Sequence, residues 1–103
     1  MSIIKRPIDN APEILKEAIR CIGDRAKERD MDQERSMKRC VTAFNAMTGL
    51  SLTEEEGWIF MVFLKLARSQ QGEFKLDDYV DMAAYAALAG ESAMPDPQME
   101  LPV

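Results

Sequence analysis

At 103 residues, 47% hydrophobic and 30% charged, the chain has the composition of a single globular domain that needs no covalent staples. It has no histidine and only two cysteines. This excludes the usual zinc sites and the Ser-His and Cys-His nucleophile pairs. A net charge of −5 argues against general nucleic-acid binding, which needs clustered Lys and Arg to neutralise phosphates.

The charge is unevenly spread: residues 1–48 carry ten Lys/Arg and eight Asp/Glu, and residues 49–103 carry three and ten. The basic cluster Arg25, Lys27, Arg29, Arg35, Lys38 and Arg39 is interleaved with Asp24, Glu28, Asp30, Asp32 and Glu34. That is the pattern of a solvated helical face laced with ion pairs. It disfavours a DNA-binding helix-turn-helix over "DRAKERDMDQERSMKRC", so nucleic acid is not expected as a partner. The opening "MSIIKRPIDN" lacks the long apolar run of a signal peptide, and "WIFMVFL" is too short to cross a bilayer. No membrane partner is expected, and a cytoplasmic protein is. Cys21 and Cys40 form no CxxC pair and read as buried free thiols.

Residues 1–9 read as an N-terminal extension and 10–90 as one helical domain. The first helix starts at Asn10, with Pro12 in the first turn and Glu13 completing an Asn-x-x-Glu capping box. Ala11, Ile14, Leu15, Ala18, Ile19 and Ile22 form its apolar stripe. Beyond Gly23, "DRAKERD" fits either a polar continuation of the helix or a loop. The second helix is predicted over about 31–47, capped by Asp30 or Asp32, with Met37, Cys40, Val41, Phe44 and Met47 as its stripe and Gly49 as its stop.

Thr53 and Glu56 make a second capping box, which opens a third helix over about 54–69. Gly72 breaks the chain, and a fourth helix is predicted over about 76–89, ending at Gly90. Residues 91–103, with three prolines and no periodicity, read as a flexible tail. No strand pattern appears, so the fold class is all-α, a four-helix bundle-like protomer. "WIFMVFL" and "MAAYAAL" cover every direction of their helices, which is the mark of helices central to a larger core. In so short a chain a second copy is the expected supplier of that core, through a homodimer packed on helices 3 and 4.

The chemistry-bearing stretch is "GEFKLDDYVDMAAYAALAGE", residues 72–91. On a helical wheel Asp81 and Asp78 lie about 40° and about 100° from Asp77, all on one side. Asp81 is the only charge between residues 79 and 90, and a carboxylate in that setting must be paired or metal-bound. An antiparallel hairpin about Gly72 sets Lys65 level with Asp81, and Arg68 level with Asp77 and Asp78. One reading is therefore two ion pairs, Lys65–Asp81 and Arg68 with Asp77 or Asp78. The other is a metal site, since two carboxylates at i, i+3 (Asp78 and Asp81) can hold Mg²⁺. Lys65, Arg68 and Arg25 would then contact phosphate.

The run "EEEGWIFMVFLKLAR…DDYVDMAAYAALAGE", preceded by "GDRAKERD" and "AFNAMTG", resembles small phage and prophage proteins of an uncharacterised domain family. That family is in turn similar to the all-α NTP pyrophosphohydrolases of the MazG-like and dUTPase/dCTPase group. The resemblance covers about residues 16–91, and Lys65, Arg68, Asp78, Asp81, Ala83, Tyr85 and Ala86 are its most specific part. It implies a dimeric or tetrameric helical bundle, with Mg²⁺ held by an ExxE motif on one helix and an ExxD motif on the next. Asp78-x-x-Asp81 matches the second motif with Asp for Glu. The first is missing: three residues after Glu54, Glu55 and Glu56 stand Gly57, Trp58 and Ile59, and Glu34 would supply a single ligand at most. The expectation is a non-catalytic phage-type accessory or host-interaction protein without a cofactor, working in the host cytoplasm. The alternative is a Mg²⁺-dependent nucleotide-binding protein or NTP/dNTP pyrophosphohydrolase.

Overall fold

The computed structural model describes residues 8–29 and 35–95, the side chains of 25–29 and 35 excepted. Among the described residues there are four helices and no strand: α1 (Ala11–Arg29), α2 (Arg35–Thr48), α3 (Glu54–Ser69) and α4 (Leu76–Ala93). None is long and apolar enough to cross a membrane.

The four helices make contact in the order α1–α4–α3–α2, and among the described residues no other pair touches. The protomer is bundle-like but open, because each outer helix has one neighbour and a closed four-helix bundle would give it two.

α1 starts where the Asn10 side chain accepts the Glu13 backbone N–H at 2.9 Å, half of the expected capping box. The helix runs unbroken through Gly23 to Arg29, so the polar stretch continues it. Part of the reason is a ladder of i, i+3 and i, i+4 charges on its exposed side. Arg20 pairs with Glu17 and, at 2.6 Å, with Asp24. The guanidinium is held above its ordinary range, first by the hydrogen bond it donates to Glu17.

The buried centre of the protomer joins Ala18 of α1 to Val80 and Ala84 of α4, with Ile14, Cys21, Ile22, Leu76 and Ala83 packed round it. Small side chains at this crossing let the two backbones approach closely. Only half of the expected α1 stripe is used, since Leu15 and Ile19 remain exposed. An α1 that meets α4 alone has one narrow seam to bury.

α3 opens with the complete Thr53–Glu56 capping box, with three glutamates in its first turn. α4 passes through Gly90 and ends at Met94, whose φ of −62° and ψ of 140° are extended. The stop is therefore Pro95, which forces the preceding residue out of the helical region, and Gly90 is an ordinary helical position.

α2 ends at Gly49, where φ is +75°. Asn45 then ties the link to α3 by exchanging two 2.9 Å hydrogen bonds with the Leu52 backbone. At the α2–α3 crossing Gly57 is buried, and a Cβ there would meet Met37 Sδ and, at 2.9 Å, Val41 Cγ1. This glycine lets α2 lie close on α3. Cys40, expected to be buried, is exposed because α2 has no second neighbour among the described residues, and Cys21 is half-buried.

Candidate functional site

α3 and α4 form an antiparallel hairpin joined by residues 70–75. Its register is fixed at two levels. Trp58 and Tyr85 stack with ring centroids 5.8 Å apart near the open end. Nearer the turn, Lys65 Nζ lies 2.8 Å from Asp81 Oδ2, with the two side chains 14% and 15% exposed. At the turn itself Phe74 stacks on Tyr79 at 5.7 Å.

The Lys65–Asp81 pair is the first of the two ion pairs expected from the hairpin geometry. The second does not form: among the described residues no salt bridge joins Arg68 to Asp77 or Asp78. Arg68 and Asp77 are exposed, whereas Asp78 is buried at 6% exposure. The physical reason lies in helix position. Asp78 is the third residue of α4, where the helix N-terminus itself favours a negative charge without a cationic partner. Arg68, in the last turn of α3, is likewise suited to the negative end of its own helix.

The side chains of Lys65, Arg68, Gln71, Lys75, Asp77 and Asp78 surround a polar pocket of about 360 Å³ beside the turn. Cations from α3 and from the turn share this lining with carboxylates from the first turn of α4. Such a pocket offers both donors and acceptors to a small polar ligand. Gln71 and Lys75 were not singled out in the sequence; their position inside the hairpin turn, between Arg68 and Asp77, was the available signal.

The expected sites come together only in part. Lys65, Arg68 and Asp78 line this pocket, while Asp81 lies one turn further along α4, committed to Lys65. Glu34 lies outside the described residues, and of Arg25 only the backbone, within α1, is described. Among the described residues no group of three or more His, Cys, Asp or Glu side chains is placed to hold a metal ion.

A family model, described as a domain of unknown function (DUF6378), matches residues 13–93. The chain belongs to this family. The DUF6378 match runs from the first turn of α1 to the last residue of α4, so it takes in every helix, the turn pocket and the Lys65–Asp81 pair. No match was found among curated proteins or solved structures.

Proposed function

We propose that this DUF6378 protein is a non-catalytic helical accessory protein of phage type. In this reading it works in the host cytoplasm as a homodimer, engages a host protein and keeps a MazG-like fold whose metal chemistry has lapsed. The observation that carries the reading is the Lys65–Asp81 ion pair. A carboxylate held 2.8 Å from an ammonium group, with both side chains about 85% out of water, has its charge compensated within the fold. A metal ion would have to displace Lys65 and leave that ammonium buried alone, which is strongly unfavourable. The missing ExxE on α3 points the same way.

The homodimer is supported by the exposure of α3. Phe60 and Phe63 are 66% and 60% exposed, and Ile59 and Leu66 lie beside them on the same side of the helix. Partner binding of this kind asks for apolar surface and no reacting group.

A second reading, Mg²⁺-dependent nucleotide binding or NTP/dNTP pyrophosphohydrolysis, draws on the turn pocket. There the buried Asp78 carboxylate shares a lining with Arg68 and Lys75, a set of groups suited to a metal-bound phosphate. One experiment separates the two readings. The protein is incubated with Mg²⁺ or Mn²⁺ and a panel of NTPs and dNTPs, and pyrophosphate release and melting temperature are followed. No release and no metal-dependent stabilisation are expected. Pyrophosphate release that disappears in Asp81→Asn would sink the non-catalytic reading and establish the second.

A further inference from the structure

We infer that the apolar groove between α2 and α3 is the seat of a second copy of this chain, with the α3 stripe of each protomer lying across the groove of the other. The inference rests on the dimeric reading above and adds the face and the residues that make it.

The open contact order leaves one side of the molecule unfinished. α4 is covered by α1 and by α3, and its Val80, Ala84 and Ala89 are buried. Among the described residues α2 lies on α3 alone, and the surface these two share is almost wholly apolar. A groove of about 350 Å³ runs between them, lined by Gly57, Met37, Cys40, Val41, Phe44 and Phe60, with Glu56 of the α3 capping box as its one charged residue. α2 and α3 thus present an apolar face beside this groove, apart from the exposed Leu15 and Ile19 of α1 and Phe74 of the turn.

The size of this surface fits a second copy. Phe44, Met47, Leu50, Ile59, Phe60, Phe63 and Leu66 are between 36% and 86% exposed. Together they leave the equivalent of about four whole side chains in water, or about 800 Å² at about 200 Å² each. That is about the area a standard interface takes from each partner.

Charge also suits self-association. Between Glu56 and Arg68 the only charged residue on α3 is Lys65, and Lys65 is turned to Asp81. Two identical stripes can therefore meet about a two-fold axis without burying a like-charged pair, as an isologous contact requires. A crossing centred between Phe60 and Phe63 sets Phe63 of the second copy level with Phe60, at the edge of the groove.

The test uses the full-length chain. Light scattering across a wide concentration range gives the mass of wild type, Phe63→Glu and Phe60→Glu, with circular dichroism to follow helix content. In parallel, alkylation of Cys40, which is exposed and lines the groove, is timed in wild type as concentration rises. We expect wild type at twice the 11.6 kDa chain mass, a halved mass for both helical variants, and slower Cys40 labelling at high concentration. A wild-type mass of 11.6 kDa throughout would overturn the dimer, and this face with it. A wild-type dimer in which both variants stay dimeric, or in which Cys40 labels at one rate at all concentrations, would leave the dimer standing and overturn this face. The labelling arm holds even if the glutamate variants fail to fold. A groove filled by the chain's own terminal residues would protect Cys40 equally at every dilution, which also counts against the second copy.

Discussion

Removing Asp81 or Lys65 alone should harm the fold more than removing both. Breaking a buried ion pair by deleting one partner costs about 3–5 kcal/mol, because the other charge is stranded, whereas an exposed pair is worth about 0–1 kcal/mol. With side chains 14% and 15% exposed, the Lys65–Asp81 pair lies near the buried limit. Discounted for that residual wetting, Asp81→Asn and Lys65→Met should each lose about 2–3 kcal/mol. At about 4–8 °C per kcal/mol for a domain of this size, melting should fall by roughly 10–20 °C. The double variant Lys65→Met/Asp81→Leu replaces the pair with apolar bulk between Val80 and Met82, and should lose about 1 kcal/mol or less. Urea unfolding of all four proteins closes the double-mutant cycle and should give a coupling of about 2 kcal/mol or more. Additive losses, with coupling near zero, would refute the reasoning and free Asp81 for another role. Repeating the melts with Mg²⁺ and EDTA asks the metal question on the same samples; stabilisation of wild type alone by metal would reverse the reading.

Four further substitutions probe the helices and their ends. Gly57→Ala gains about 1 kcal/mol of helix propensity, but its Cβ meets Val41 Cγ1 at 2.9 Å, and a β-branched side chain in a helix has little freedom to turn away. A net loss of about 1–2 kcal/mol in chemical denaturation is expected, partly recovered by Val41→Ala in the same chain. Gly90→Ala should act in the opposite sense, raising stability by about 0.5–1 kcal/mol, because the position is helical with nothing within 4 Å of the new methyl. Gly49→Ala has equal space but a φ of +75°, and should lose about 1 kcal/mol. Thermal melts of the two side by side would separate backbone strain from packing; a shared sign would show that conformation does not govern these sites. Thr53→Ala should lose about 1 kcal/mol through the α3 cap, and a melting temperature equal to wild type would contradict the capping geometry.

The sequence revealed those features that depend on local chemistry. The Thr53 box fixed the start of α3, and counting residues across the hairpin placed Lys65 opposite Asp81. What depends on which helices are neighbours was hidden. An apolar stripe on α1 has the same appearance whether one helix or two will cover it, so its periodicity assigns Leu15 and Ile19 to the core although they lie in water. The same ambiguity put Cys40 inside. Gly57 could be seen as a weak helix residue, but its use as a crossing point depends on Met37 and Val41 of another helix. Gly90 has the look of a stop because glycine often is one, yet Pro95 ends α4 by steric exclusion. In the turn pocket, Arg68 and Asp78 were placed correctly along their helices, but levels alone could not show that helix termini would satisfy each charge separately.

The seating of α1 on α4 has a consequence for the order in which the chain can fold. Ala18 and Ala84, which touch at the buried centre, are 66 positions apart, while the α3–α4 hairpin closes over a short turn. Contacts that close short loops form early, and distant ones wait for the chain between them to be organised. As the polypeptide leaves the ribosome, α1 emerges well before α4 and has nothing to dock against. Ile14, Ala18 and Ile22 stay unprotected until the final helix is complete. The helix made first is thus the one seated last, and a chain cut short before Val80 would strand it.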